Sequence, residues 1–181
     1  MKKHPALYIA QAAVIAAMYA ALTILQNILL PGSASMAIQF RVAEVLAILA
    51  VYTHAAIPGL TVGCMVANIS SLFALGPYDL IFGALASFFA ALSMYALRNV
   101  RFFRLPVLAA LMPALFNGLI VGFEISFFFN NNWSFNLPDF LFVGACVAIG
   151  ELAVLFFLGL PLASAMEKTN LKEKPNSDPR I

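Results

Sequence analysis

Seven ionisable or amide side chains stand out in this 181-residue sequence because they interrupt long apolar stretches. They are Arg41, Glu44, Asn68, Asp79, Asn117, Glu124 and Glu151. If those stretches lie in a membrane, an ionisable group there costs about 3 kcal/mol without a partner, so it marks a functional site by default. Carboxylates, amides and a guanidinium bind solutes through charge and hydrogen bonds. The chemistry that these residues offer is recognition of a small polar molecule.

The sequence contains none of the short motifs that supply common catalytic chemistry. G-x-x-x-x-G-K-[ST], H-E-x-x-H and G-x-S-x-G are all absent, so neither ATP binding by a P-loop nor hydrolysis is indicated. Cys64 and Cys146 have no Cys or His at metal-ligand spacing and are interpreted as small buried hydrophobes. We expect a binding protein with no catalytic residues, cofactor, metal or nucleic-acid partner. A membrane enzyme or assembly subunit that uses Glu151 and Glu44 is the alternative from another class.

The depth and the facing of the seven residues favour one shared pocket. Counting about 1.5 Å per residue from the helix ends places Asn68, Asn117 and Glu151 near the middle of the membrane. The others lie toward the outer ends of their spans, namely Arg41, Glu44, Asp79 and Glu124. Arg41 and Glu44 share a helix face, and so do Asn117 and Glu124, which are two turns apart. A pocket that runs from the midplane to the outer surface suits capture of an external solute.

The charges of this pocket limit the kinds of solute that it is expected to bind. Glu44, Glu124 and Glu151 against Arg41 leave an excess of carboxylates. An ionised carboxylate accepts hydrogen bonds and cannot donate them. The pocket is therefore expected to prefer donor-rich or cationic ligands and to disfavour anions.

Simpler roles are open for several of these residues. Arg41 and Glu44 could form an interfacial ion pair, and Asp79 could cap a helix. Glu124 could be solvated at the membrane surface, and the two asparagines could join helices by hydrogen bonds. The only tryptophan, Trp133, lies in a predicted outer loop. Its ring could form a lid over a flat ligand or an anchor at the membrane interface.

The composition of the chain indicates that the helices carrying these groups lie in a membrane. The chain is 63% hydrophobic and 10% charged, with a mean hydropathy of +0.95, whereas a soluble domain is about 25% charged. The apolar runs are continuous rather than alternating, which favours helices over a barrel. Pro and Gly divide them into six predicted spans at 6–30, 42–53, 57–75, 79–98, 105–129 and 139–166. We expect one transmembrane domain, residues 1–166, and a disordered polar cytoplasmic tail, residues 167–181.

The positive-inside rule decides between six spans and five, the alternative in which 42–75 is one broken helix. With six spans and both termini in the cytoplasm, nine of the ten Lys and Arg residues are cytoplasmic, and Arg41 is the exception. With five spans, the cluster from Arg98 to Arg104 would lie opposite Lys2 and Lys3. The apolar run 6–30 exceeds the usual signal-peptide core of about 7–15 residues, so it is interpreted as the first span. We expect a multi-pass protein of the plasma membrane.

Alanines form a smooth strip on the first predicted span. Two rows with four-residue spacing lie side by side, Ala12, Ala16 and Ala20 in one and Ala13, Ala17 and Ala21 in the other. Small residues at this spacing let a second helix approach closely in a bilayer. The strip could pack against helices of this protein or dock on a separate membrane protein.

Three segments of the sequence resemble the QueT family, which comprises substrate-binding subunits (S components) of energy-coupling factor (ECF) transporters associated with queuosine precursors. The segments are Arg41–Leu46, Ile57–Asn68 and Asp79–Ala86. The resemblance covers nearly the whole chain, from the alanine-rich first span to Glu151. It implies a six-helix S-component fold that topples in the membrane to carry its pocket inward. It also implies a transmembrane coupling protein and two cytosolic ATPases as partners, with the alanine strip as the docking surface.

The resemblance further implies a 7-deazaguanine as substrate, either queuine or the aminomethyl precursor. Glu151 or Glu44 would accept the ring N–H groups, and Asp79 or Glu124 would suit the aminomethyl cation. The remaining pocket residues would donate to the ring carbonyl or cover the ring, namely Arg41, Asn68, Asn117 and Trp133. An S component for another donor-rich vitamin such as thiamin is the alternative within transport.

Overall fold

The structure is a computed structural model that describes residues 5–31, 40–69, 72, 77–102, 105–128 and 134–168. Six helices follow one another in these ranges, and the predicted six-helix fold is confirmed. They are α1 (Pro5–Leu29), a 3₁₀ helix (Val42–Val51), α2 (Ala56–Asn68), α3 (Tyr78–Ala96), α4 (Val107–Phe128) and α5 (Leu137–Lys168). Four of these are long and apolar enough to cross a membrane, and the 3₁₀ helix and α2 are shorter apolar helices. Trp133 and the predicted tail beyond residue 168 lie outside the described residues.

The second predicted span is short because its residues are wound as a 3₁₀ helix. This helix has 10 residues, and a 3₁₀ helix rises about 2.0 Å per residue, so it extends about 20 Å. The 13 residues of α2 extend about as far at 1.5 Å per residue. Since the hydrocarbon core is about 30 Å thick, each short helix crosses most of it.

Prolines account for the irregular turns in the two C-terminal helices. In α4 the α-helical hydrogen bonding is interrupted at Leu111, two residues before Pro113. In α5 a π-helical segment, Leu155–Gly159, comes directly before Pro161. A proline ring collides with the carbonyl four residues earlier, so the preceding turn must tighten or widen.

Glycines set the close contact between α1 and α2. A Cβ atom on Gly59 would lie 2.9 Å from the carbonyl oxygen of Ala12, and one on Gly63 would lie 2.8 Å from Cβ of Tyr19. The Gly59-x-x-x-Gly63 pattern is therefore a packing motif, in keeping with its lack of the P-loop lysine.

The two rows of the alanine strip point in different directions. Ala20 is buried, and Ala12 and Ala16 are half-buried against the α2 glycines. The second row is exposed at all three positions, Ala13, Ala17 and Ala21. The first row thus serves internal packing, and docking on a partner stays a prediction that concerns the second row most directly.

A second set of glycines joins α4 to α5. A Cβ atom on Gly122 would lie 2.7 Å from the Cα atom of Gly144, and one on Gly144 would lie 2.7 Å from the carbonyl oxygen of Gly118. These neighbours are backbone atoms, so the two helices touch along their main chains. This contact fixes the register of the two helices that carry Asn117 and Glu151.

The two ends of the bundle differ in composition. The basic end carries Arg98, Arg101 and Lys168, and Arg101 forms a 2.8 Å ion pair with Glu167. The aromatic end carries stacked or tilted rings from α3, α4 and the start of α5. Between the ends, large apolar side chains are exposed on the outer faces, for example Phe142 and Phe157 at 66% and 79%. Such a surface requires lipid around it, so this is a multi-pass membrane protein.

Candidate functional site

Arg41 is the centre of the candidate site. Its side chain is 8% exposed, and its Nη2 atom lies 3.4 Å from Oδ1 of Asn68 and 3.6 Å from Sγ of Cys64. It interacts electrostatically with four carboxyl groups, those of Glu44, Asp79, Glu124 and Glu151. Asn68 is thus in direct contact with the guanidinium, the four carboxyl groups lie within its electrostatic range, and Asn117 is linked to it only through Glu151. Trp133 lies outside the described part of the chain, and a pocket shared by all these residues stays a prediction.

Gln26 of α1 holds the backbone on both sides of Arg41. Its Oε1 atom accepts a 2.8 Å hydrogen bond from the N–H of Val42, and its Nε2 atom donates to the carbonyl oxygen of Phe40. The chain therefore enters the 3₁₀ helix at a fixed position, with the Arg41 side chain directed at α2. Sequence reasoning missed Gln26, and the available signal was an amide near the outer end of an apolar helix.

Glu44 pairs with a tyrosine instead of Arg41. The Tyr19 hydroxyl donates a 2.5 Å hydrogen bond to Oε1 of Glu44, and both side chains are buried. Among the described residues no direct ion pair joins Arg41 to Glu44, so the simple ion-pair interpretation is wrong. Sequence reasoning also missed Tyr19. The available signal was its phenol, a polar group within the alanine-rich run of α1.

Asn68 joins α2 to α3 at the aromatic end. Its Nδ2 atom donates a 2.9 Å hydrogen bond to the carbonyl oxygen of Asp79. Asp79 lies in the first turn of α3, and the N-cap residue of that helix is Pro77, so Asp79 is not the cap. Contact between the Asp79 carboxyl group and a ligand stays a prediction.

Asn117 and Glu151 form the deepest polar contact of the site. Nδ2 of Asn117 donates a 2.8 Å hydrogen bond to Oε1 of Glu151, and each side chain is 1% exposed. This bond joins α4 to α5, as interhelical asparagine bonds do in membranes. The two remaining oxygens, Oδ1 of Asn117 and Oε2 of Glu151, are buried and have no hydrogen-bond partner in the described chain.

Glu124 contributes a third unpaired acceptor on the same face as Asn117. It is 1% exposed, and its Oε2 atom also has no partner in the described chain. It is therefore not solvated at the surface, as one simpler interpretation held. A buried acceptor without a donor costs about 1–3 kcal/mol, so three of them together mark the place where a donor-rich ligand would bind.

An open apolar groove of about 520 Å³ lies on the surface at the aromatic end, and none of the three acceptors lines it. It is lined by Phe82, Leu119, Ile120, Phe123, Phe135 and Phe140. Phe82 directly precedes Gly83, and Phe123 directly precedes Glu124. Rings of this kind can stack on a flat ligand, and the polar groups on the buried face of α4 can fix a ligand's orientation. The predicted lid, Trp133, stays a prediction.

The groups of the candidate site are suited to non-covalent binding. The site has more carboxyl groups than cations, since four carboxyl groups lie within electrostatic range of one guanidinium. No group of three His, Cys, Asp or Glu side chains among residues 5–168, as far as these are described, is placed to hold a metal ion. Unpaired acceptors and aromatic walls together favour a flat ligand with several hydrogen-bond donors.

Gly83 is a further site residue that sequence reasoning missed as such. A Cβ atom at this position would lie 2.7 Å from Nδ2 of Asn68 and 3.5 Å from Sγ of Cys64. We predict that Gly83→Ala displaces the Asn68 amide and lowers ligand affinity about 10-fold, since one hydrogen bond contributes roughly 1 kcal/mol and the guanidinium of Arg41 also shifts. Isothermal titration calorimetry on the purified protein measures this change in affinity.

The control for Gly83→Ala is Ala84→Gly, a change of the same size at the next position of α3. Ala84 is buried, but its side chain is directed away from Asn68 by one helical step of about 100°. A loss of affinity that is equal in both variants would assign the effect to helix α3 as a whole and would contradict the role given to Gly83.

Comparison with known proteins gives one match. A family model described as QueT transporter matches residues 9–168, which include five of the helices in full and nearly all of α1. The match includes Arg41, Asn117 and Glu151. No curated protein and no solved structure matches this chain.

Proposed function

Because this chain belongs to the QueT transporter family, we propose that it is the substrate-binding subunit of an ECF importer that captures a 7-deazaguanine precursor of queuosine. Family membership makes it a membrane transporter component rather than an enzyme. The observation that carries the proposal is the buried polar site around Arg41, with three unpaired acceptors inside a bundle that is otherwise apolar. Sites of this kind in membrane proteins belong to solute pathways.

The unpaired acceptors suit the edge of a guanine-like ring. That edge presents adjacent N–H donors, which Oε2 of Glu151 and Oδ1 of Asn117 can accept together. The Arg41 guanidinium can donate to the ring carbonyl. The apolar groove at the aromatic end offers rings for stacking. We further propose that Asn68 positions the Arg41 side chain and that the Tyr19 hydroxyl fixes the Glu44 carboxyl group by a hydrogen bond.

The expected orientation directs the site to the outside of the cell. Under the positive-inside rule the basic end, with Arg98, Arg101 and Lys168, faces the cytoplasm of a plasma-membrane protein. The aromatic end then faces outward, and Asp79 and Glu124 lie nearest to it. An external solute would reach these two carboxyl groups before it reaches Glu151.

Energy for import would come from partners. The chain has no P-loop motif, so a coupling protein with two cytosolic ATPases would supply ATP hydrolysis. The exposed row of Ala13, Ala17 and Ala21 gives a smooth face on which a helix of the coupling protein can lie.

We expect this chain to co-purify with an ECF coupling protein and its ATPases and to carry a 7-deazaguanine. Ala17→Leu should reduce recovery of the coupling protein at least about 10-fold, because a bulky side chain holds the helices apart. Affinity purification of the complex followed by native mass spectrometry measures both the partners and the bound small molecule.

The matched control is Ala145→Leu, the same change on an exposed face of α5. It should leave the partners in place. Recovery of bound thiamin instead of a 7-deazaguanine would support the alternative that this chain is an S component for thiamin. A chain that is recovered without any of these partners, from cells that contain them, would contradict the proposal.

A further inference from the structure

The three unpaired acceptors are closed off from the surface in this structure. Their residues, Asn117, Glu124 and Glu151, are each 1% exposed, so a solute cannot reach them unless part of the bundle moves. Closed sites of this kind open by rigid-body motion of packed elements about a short hinge. The contacts between the helices therefore indicate which elements stay together and which separate.

Close contacts and hydrogen bonds join α1, the 3₁₀ helix, α2 and α3 into a first group. A Cβ atom on Gly63 of α2 would lie 2.8 Å from Cβ of Tyr19 in α1. The Tyr19 hydroxyl donates to Glu44 of the 3₁₀ helix. Asn68 of α2 donates a 2.9 Å hydrogen bond to the carbonyl oxygen of Asp79 at the start of α3. These four helices are expected to move as one body.

Helices α4 and α5 form a second group. A Cβ atom on Gly122 would lie 2.7 Å from the Cα atom of Gly144, so the main chains of the two helices touch. Asn117 also donates a 2.8 Å hydrogen bond to Glu151. The three unpaired acceptors all belong to this second group, whereas Arg41 contacts α2 and belongs to the first. The candidate site thus lies between two bodies.

Aromatic rings form the seam where α3 of the first group faces α4 of the second. Toward the aromatic end, Tyr78 and Phe128 stack with ring centroids 4.1 Å apart, and Phe82 lies 5.5 Å from Phe128. The open apolar groove follows this seam, since Phe82 of α3 and Phe123 of α4 both line it. A ring pair contributes little beyond the area that it buries, and its side chains can rotate. The seam is therefore the weakest of these contacts.

The basic end joins the two groups more firmly. The Tyr52 hydroxyl, at the end of the 3₁₀ helix, donates a 3.2 Å hydrogen bond to the carbonyl oxygen of Ala163 in α5. Arg101 and Glu167 of α5 form a 2.8 Å ion pair at the same end. Arg101 lies in the connection from α3 to α4, which is where the chain passes from the first group to the second. These contacts place a hinge at the basic end.

From these contacts we propose that a solute enters the site between α3 and α4 at the aromatic end, when α4 and α5 swing together away from the first group. The role of this motion in import rests on the proposed function. The groove is the entrance, and its aromatic walls suit a flat molecule. Opening separates the acceptors of the second group from Arg41, and closing brings both sides onto the solute.

Spin labels and double electron–electron resonance test this motion on the purified protein without a ligand. Ile81→Cys and Leu141→Cys place labels at exposed apolar positions of α3 and α5 near the aromatic end. Cys64→Ser and Cys146→Ala remove the native thiols. A flat molecule that passes between two stacked rings moves them apart by one carbon–carbon contact distance. This pair should therefore show a second distance that is longer by at least about 3.5 Å.

Two further pairs of labels are the controls. Leu25→Cys with Ile81→Cys lies within the first group at the same end of the bundle. Leu92→Cys with Phe157→Cys joins α3 to α5 toward the basic end. Both pairs should keep a single distance. A second distance of the same size in either control pair would overturn the proposed hinge, because the helices would then separate elsewhere as well.

Tyr78→Ala in the pair across the seam tests the entrance when the open form is sparsely populated. It removes the closest ring pair of the seam, so the population with the longer distance should rise about 2- to 10-fold. Phe142→Ala removes a ring that is 66% exposed on α5 and should leave that population unchanged. A single distance with and without Tyr78→Ala would overturn the entrance. Failure of 7-deazaguanines to bind would instead refute the proposed function, since the labels need no ligand.

Discussion

Glu151→Gln lowers the affinity for a 7-deazaguanine by about 10- to 100-fold, since a buried N–H donor left without its acceptor costs about 1–3 kcal/mol. One carboxylate oxygen is already used by Nδ2 of Asn117, and the other is buried without a partner. A glutamine can still accept from Asn117 through its single oxygen. Its NH₂ group then faces the ring N–H donors, and two donors repel each other.

The fold should survive this substitution. Replacing a buried carboxyl group by an amide of the same shape, while the hydrogen bond to Asn117 is kept, should change stability little. The expected result is thus a loss of binding at an unchanged melting temperature. Titration calorimetry and a thermal unfolding curve on the same sample separate these two effects.

Glu167→Gln is the matched control in the same helix. Glu167 is 16 residues further along α5, or about 24 Å, and its ion pair with Arg101 is partly exposed. A surface ion pair contributes about 0–1 kcal/mol, so this variant should bind and melt almost as the unaltered protein does. Unchanged affinity in Glu151→Gln would remove Glu151 from the binding scheme.

Gly144→Ala has the largest expected effect on stability. The added Cβ atom would lie 2.7 Å from the carbonyl oxygen of Gly118, and a backbone atom cannot rotate away as a side chain can. Helices α4 and α5 must then separate, and overpacking of this kind costs about 1–3 kcal/mol. We expect the melting temperature to fall by roughly 5 °C or more. Ligand affinity should fall as well, because the Asn117–Glu151 bond joins the same two helices.

Gly159→Ala controls for the change of residue type. Gly159 is another glycine of α5, buried where Gly144 is half-buried, but the nearest atom to an added Cβ is Cδ2 of Leu155, at 3.2 Å, which belongs to a flexible side chain. Differential scanning fluorimetry in detergent should show a clearly smaller shift for this variant. Equal melting temperatures for Gly144→Ala and the unaltered protein would contradict direct backbone contact between α4 and α5.

The sequence alone was enough for the helices and for the charged and amide residues of the candidate site. Apolar runs interrupted by Pro and Gly are local features, and lipid leaves the backbone few options other than helix. The site residues were also recognisable one by one, because Arg41 or Glu151 in an apolar run is costly without a function. Helical spacing correctly placed Asn117 and Glu124 on one buried face.

Only the tertiary structure decided which groups pair. Tyr19, and not Arg41, donates to Glu44, and Gln26 fixes the backbone around Arg41. The division of the alanine strip follows from the contact of α1 with the glycines of α2. These outcomes depend on the register and distance between helices far apart in sequence, and spacing within one helix carries no information about either.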